Sequence, residues 1–126
     1  MKPIGLHFAA EFINCSKNIL NDKIALEQIV KLGINKSGFS LRELVSHQFT
    51  PVGVTVIAII GESHIAIHTY PEAGHASLDI FACTSNHKLL TELLEFFKKK
   101  LKPKTARLIE IVRGDSLEIK KSVKSF

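Results

Sequence analysis

The chain has 126 residues, a formal net charge of +5, 45% hydrophobic and 23% charged residues, and two cysteines. That length suits one domain, large enough for a core but small for a site enclosed by a single subunit. The composition excludes a disordered polyelectrolyte and a disulfide scaffold, and no apolar run is long enough for a membrane-spanning helix.

The opening "MKPIGLHFAAEFINC" carries one lysine, then Pro3 and a period-2 pattern. It reads as a strand and not as a signal peptide, so a cytoplasmic protein is expected. Ile4, Leu6, Phe8, Ala10 and Phe12 give this strand one apolar face. The segment "NDKIALEQIVKLGINKSG" has Asn21 or Asp22 as cap, apolar residues at helical spacing and Gly38 beyond its end, which predicts a first helix.

Four short segments follow, "FSLRELVSHQF", "VGVTVIAII", "SHIAIHTY" and "HASLDIFAC". They are rich in β-branched and aromatic residues and are punctuated by Pro51, Gly61 and "PEAG" (Pro71 to Gly74), the pattern of an antiparallel meander. Val54 to Ile60 is apolar on both faces, which suggests that the second face of the sheet is partly covered by another subunit.

From Ser85, a good cap, Leu89, Leu90, Leu93, Leu94, Phe97 and Leu101 predict a second helix that Pro103 stops. The cations of "KKKLKPK" (Lys98 to Lys104) suit the negative end of that helix and are read as a solvated helix end, not as a nucleic-acid site. "TARLIEIV" is a last strand, and residues 115–126 read as a flexible polar tail. The order β-α-β-β-β-β-α-β implies one α+β domain over residues 1–126. It is a two-layer sandwich in which two helices cover one face of an antiparallel sheet, although the two halves show no sequence repeat.

Chemistry concentrates in "GESHIAIHTYPEAGHASLDIFAC", Gly61 to Cys83. On a helix His64 and His68 could share a metal, but on a strand they lie roughly 13 Å apart, so no metal site is expected. The strand places His64, Ala66, His68 and Tyr70 on one face and Ile65 and Ile67 on the other. Ser63 is by default a turn residue and has no Gly-x-Ser-x-Gly elbow, but a serine hydroxyl can attack the peptide carbonyl before it when a turn holds it there. Cys15 and Cys83 read as free thiols.

"ESHIAIHTYPEAGHASLDIFAC" resembles the central signature of the prokaryotic S-adenosylmethionine decarboxylases, which are pyruvoyl-dependent and made as self-cleaving proenzymes. The likeness extends to "GLHFAAEF", "HQFTPVGVTV" and "IVRG" and so covers most of the chain. It implies a two-layer sandwich that forms a homodimer of processed αβ units with shared active sites. Ser63 would attack the Glu62 carbonyl to give an ester. Elimination and hydrolysis would then leave a 1–62 β chain and a 63–126 α chain that begins with a pyruvoyl group made from Ser63.

The resemblance assigns His68 to the proton chemistry of processing and Cys83 to protonation of the substrate during decarboxylation. Thr55 stands where relatives carry a serine that assists processing. Phe49 resembles an aromatic that stacks on adenine, Glu72 a carboxylate that contacts ribose or substrate, and Tyr70 keeps an aromatic at the pocket. Relatives commonly read Thr-Trp-Pro-Glu followed by Tyr-Gly-Tyr, so Tyr70, Ala73 and His75 are departures, as is Thr84 after the cysteine. The implied substrate is a small amino-acid-type molecule, S-adenosylmethionine for polyamine and spermidine synthesis, with arginine or ornithine as alternatives and a non-enzymatic basic binding module as a third reading. No nucleic-acid or membrane partner is expected.

Overall fold

The structure, a computed structural model, describes residues 5–115 and 117–126. Its elements are β1 (Gly5–Ile13), α1 (Lys17–Leu20), α2 (Lys23–Ser37), β2 (Leu41–Gln48), β3 (Val54–Ile60), β4 (Ser63–Tyr70), a 3-10 turn (Pro71–Ala73), β5 (His75–Ala82), α3 (His87–Leu101), β6 (Thr105–Arg113) and β7 (Glu118–Ser125). Ile4, expected in the first strand, lies outside the described residues.

The strands form one sheet in the order β2-β3-β4-β5-β1-β6-β7, with every neighbouring pair antiparallel. β1 sits inside the sheet because both of its edges find partners, Phe8 pairing with Ile80 on one side and Glu110 on the other. The period-2 pattern then turns Phe8, Val56, Ile65, Ile67 and Ile80 to one face, where Leu26 and Val30 of α2 and Leu90, Leu94 and Phe97 of α3 cover them. This is the α+β two-layer sandwich that the sequence predicts, with the short α1 as an addition.

The helix ends refine the sequence reading. Asp22 caps α2, its carboxylate accepting from the Ala25 N–H at 3.0 Å, and Gly38 closes it at φ 79°. For α3 the cap is Asn86 and not Ser85, because the N–H that needs an acceptor belongs to Leu89, three residues beyond Asn86.

The expected flexible tail is corrected: Glu118–Ser125 is a strand paired with β6, and the Phe126 N–H donates to the Ala106 carbonyl at 3.1 Å. The Phe126 ring meets Phe12 edge to face. Leu117, Ile119 and Val123 recur at alternate positions, a weak strand pattern that the lysines of "EIKKSVKS" obscure in the sequence. Lysine on an edge strand deters further pairing and does not argue against a strand.

The face away from the helices carries registered cross-strand rows. His47, Thr55, His68, Ser77, Glu11 and Arg107 form one row, and Val45, Ile57, Ala66, Asp79, Ala9 and Ile109 the next. Val45, Ile57 and Ile59 are 65%, 43% and 44% exposed here. β-branched residues left this open on a strand mark a face suited to burial against another surface.

Candidate active site

The β3–β4 connection is a two-residue turn in which Gly61, at φ 60°, supplies the left-handed position and Glu62 follows. Ser63 opens β4, opposite Ile60. Its side chain is buried at 7% exposure, and its hydroxyl oxygen accepts the Cys83 N–H at 2.8 Å. The Cys83 thiol lies 3.8 Å from the Glu62 carbonyl oxygen and donates weakly to it. Cys83 therefore engages both sides of the Glu62–Ser63 peptide, through its backbone and through its side chain.

Gly5 makes that closeness possible. A Cβ there would fall 2.3 Å from the Ala82 carbonyl oxygen and 3.1 Å from the Cys83 Cα, so only glycine lets β1 lie so tightly against the end of β5.

A second group forms at the far end of the same strands. Thr55 pairs with His68, and the Thr55 hydroxyl lies 3.0 Å from His68 Nδ1. A cavity of about 350 Å³ adjoins them, lined by Phe49, Val52, Gly53, Thr55, His68, Thr69, Tyr70 and Glu72. The structure thus gathers five of the sequence-predicted residues, Phe49, Thr55, His68, Tyr70 and Glu72, around one space. The sequence reading did not single out Val52, Gly53 or Thr69 as part of this wall. Gly53 could have been suspected because it follows a proline closely inside an apolar run, and its φ of 112° confirms a position that glycine favours.

The two groups do not meet within one chain. Ser63 and His68 are five residues apart on β4, roughly 16 Å at about 3.3 Å per residue, and an odd separation turns them to opposite faces. The hydroxyl, the thiol and the Glu62–Ser63 peptide lie at one end; the imidazole and the cavity lie at the other.

Other polar residues of the open face pair with one another. Asp79 accepts from His7 Nε2 at 2.6 Å and His64 Nε2 at 3.0 Å, and the Arg113 guanidinium stands 4.5 Å from the Phe81 ring centre. The hydrogen bond from His7 outweighs partial burial and, with that from His64, holds the Asp79 carboxyl below its ordinary value. His75, one of the departures, bonds through Nε2 to Glu11 at 2.5 Å, and Ser77 donates to the same carboxylate at 2.7 Å. Both cysteines are free thiols. Burial pushes Cys15 up to about 11, so it stays protonated and acts as a small core residue.

The profile of the family described as S-adenosylmethionine decarboxylase matches residues 6–114. Among similar proteins, the S-adenosylmethionine decarboxylase proenzyme of Clostridium tetani is 39% identical over 90% of this chain and 90% of its own length. That of Methanococcus aeolicus is 36% identical over 94% of this chain and all of its own length, and that of Thermotoga maritima is 37% identical over 94% and 91%. The fold matches the crystal structure of the adenosylmethionine decarboxylase from Aquifex aeolicus with a TM-score of 0.83 at 24% identity, over 97% of this chain and 100% of that one. It also matches the Trypanosoma brucei AdoMetDC-delta26 monomer at 0.63 and 17%, over 88% of this chain and 47% of that one. With a family profile and full-length relatives agreeing with the fold, the chain belongs to the S-adenosylmethionine decarboxylase family.

Proposed function

We propose that this chain is a proenzyme that cuts itself between Glu62 and Ser63 and, as the processed pyruvoyl enzyme, decarboxylates S-adenosylmethionine to S-adenosylmethioninamine and carbon dioxide for spermidine synthesis. The observation that carries the reading is the double engagement of the scissile peptide by Cys83, whose N–H holds the Ser63 hydroxyl while its thiol reaches the Glu62 carbonyl. The relatives described above bear the name of the S-adenosylmethionine enzyme. That substrate is therefore preferred to arginine or ornithine, and an enzyme to a binding module.

Ser63 Oγ attacks the Glu62 carbonyl carbon, turning the amide into an ester and freeing the amine of residue 63. Removal of the Ser63 α-proton then expels the Glu62 carboxylate, and hydrolysis of the resulting dehydroalanine releases ammonia. The turn holds the reacting atoms close, and a sulfhydryl beside the carbonyl oxygen polarises it. His68 takes the proton at Nε2, which requires its Nδ1–H to donate to the Thr55 hydroxyl, as the 3.0 Å contact allows.

The residues present suit the family's cofactor: Ser63, buried at the start of β4 and held by the Cys83 N–H, would carry the pyruvoyl group once its hydroxyl oxygen has left with the Glu62 carboxylate. That group supplies an electrophilic carbonyl for the substrate amine and a conjugated amide carbonyl that accepts electrons as carbon dioxide leaves. Cys83 holds the proton destined for the substrate α-carbon, Phe49 offers a ring face to adenine, Glu72 a carboxylate to the ribose or substrate, and Tyr70 closes the aromatic side of the cavity.

Since Ser63 and His68 lie at opposite ends of β4, the complete site requires two copies of the chain. The exposed Val45, Ile57 and Ile59 supply the apolar surface for such a pairing. In this homodimer of processed αβ units, Ser63 and Cys83 of one copy face Thr55 and His68 of the other. Among the described residues no helix is long and apolar enough to cross a membrane. A cytoplasmic enzyme acting on a small substrate, without nucleic-acid or membrane partners, fits this reading.

The test is complementation, scored by denaturing intact mass and by carbon dioxide release from S-adenosylmethionine, arginine and ornithine. Ser63→Ala and His68→Ala chains are each expected to remain uncut. Co-expressed, they form a mixed dimer with one intact site, and fragments 1–62 and 63–126 appear. An uncut mixture sinks the shared site, and a cut Ser63→Ala chain sinks the serine.

A further inference from the structure

Asn21 offered itself in the sequence as a helix cap, yet Asp22 caps α2 and the Asn21 side chain turns elsewhere. Its Oδ1 accepts the Gly53 N–H at 2.9 Å and the Gln48 Nε2 at 2.9 Å. Gln48 Nε2 also donates to the Gly53 carbonyl at 2.9 Å, which accepts the Phe49 N–H at 2.8 Å as well. Two side chains thereby bracket both polar groups of the Gly53 backbone and close the loop 49–53 on itself.

That loop supplies Phe49, Val52 and Gly53 to the cavity, whereas neither Asn21 nor Gln48 lines it. Phe49 is half-exposed and its ring meets His47 edge to face, 4.6 Å between ring centres, so the placement of the ring depends on a backbone set by the loop. A second tie runs alongside: the Thr69 hydroxyl lies 2.6 Å from the Leu20 carbonyl oxygen and accepts the Val54 N–H at 2.9 Å. The Leu20–Asn21 junction between α1 and α2 is thus bonded to two parts of the cavity wall.

We propose that Asn21 and Gln48 are positioning residues for substrate binding: together they fix loop 49–53 so that the Phe49 ring stands preformed at the cavity where the adenine of the substrate stacks. The proposal rests on the reading of Phe49 given above and adds two residues that act only through it. A preset loop removes the ordering cost that a mobile aromatic would charge against affinity. Losing the Asn21 oxygen leaves the Gly53 N–H and one Gln48 N–H without acceptors, and the loop relaxes.

Steady-state decarboxylation by the processed enzyme tests it. Asn21→Ala and Gln48→Ala are each expected to raise KM for S-adenosylmethionine about tenfold, a part of the roughly hundredfold that a displacement of about 1 Å can cause, with kcat changed less than about twofold. Asn21→Asp keeps the acceptor oxygen and restores KM to within about twofold of the unaltered enzyme. In a Phe49→Ala background, Asn21→Ala adds less than about twofold, because nothing remains for it to position.

An unchanged KM in both single variants, a failure of Asn21→Asp to rescue, or a full additional tenfold in the Phe49→Ala background each overturns the proposal. An unchanged KM in Phe49→Ala alone refutes instead the stacking role on which it rests. Gln48 is exposed at the end of an edge strand, so its variant reads the same pin should Asn21→Ala fail to fold.

Discussion

Replacing Gly5 by alanine drives a methyl group into the backbone of β5. The new Cβ would fall 2.3 Å from the Ala82 carbonyl oxygen and 3.1 Å from both the Ala82 carbonyl carbon and the Cys83 Cα. Contacts between carbon atoms are comfortable at about 3.5–4.0 Å, so the Ala82–Cys83 backbone must withdraw by roughly 1 Å. Because β5 lies between β1 and β4, that movement pushes Cys83 toward Ser63, and the 2.8 Å bond from the Cys83 N–H to the Ser63 hydroxyl cannot keep its geometry.

A misplacement of about 1 Å at a reacting group can lower a rate by about a hundredfold, equivalent to about 2.7 kcal/mol in the barrier. Gly5→Ala is therefore expected to slow self-cleavage by about ten- to a hundredfold. The assay is a time course of intact mass on freshly purified chain, following loss of the uncut species, with circular dichroism confirming the fold. Cleavage within about twofold of the unaltered rate in a folded variant would refute the claim that the β1–β5 approach sets the processing geometry.

Cys83→Ala keeps the main-chain N–H to Ser63 and loses only the weak thiol contact with Glu62. It should cleave within about tenfold of normal yet decarboxylate about 10²- to 10⁴-fold more slowly, and unchanged carbon dioxide release would remove the thiol as proton donor. Thr55→Val deletes the hydroxyl that orients His68 at nearly constant shape; cleavage should slow by about tenfold, about 1.4 kcal/mol, with no change expected if the ring needs no such partner.

Glu110 has a buried side chain, with Oε1 2.9 Å from His87 Nε2 and 3.3 Å from Lys124 Nζ. Burial opposes its ionisation, but His87 and Lys124 outweigh it and hold the carboxyl below its ordinary 4.5. A depressed carboxyl contributes stability that is complete above about pH 4.5 and is lost as pH falls through the lower folded value. Glu110→Gln should therefore cost about 1–3 kcal/mol at pH 7 in denaturant unfolding and flatten the acid limb, and a parallel acid limb would contradict the pairing.

The line between what could and could not be read in the chain is clear in particular residues. α3 was legible because Leu90, Leu93, Leu94, Phe97 and Leu101 repeat at helical spacing and all are buried. β7 was hidden because its pairing with β6 is a long-range fact, while its composition is that of a solvated edge. Asn21 was visible as a polar residue before a helix, but its bonds run 27 and 32 residues along the chain, to Gln48 and Gly53, and no local pattern announces them.

The sequence by itself determined the alternation that puts His64 and His68 on the sheet's open face, the turn that presents Ser63 after Glu62, and the family signature around them. These are local properties, set by side-chain period, glycine conformation and residue chemistry at short range. Only the tertiary structure decided that Cys83 closes on the Glu62–Ser63 peptide and that His68 and Thr55 lie at the opposite end of β4 beside Phe49 and Glu72. Strand register and sheet order made both decisions, because proximity across strands depends on pairings between segments far apart in the chain.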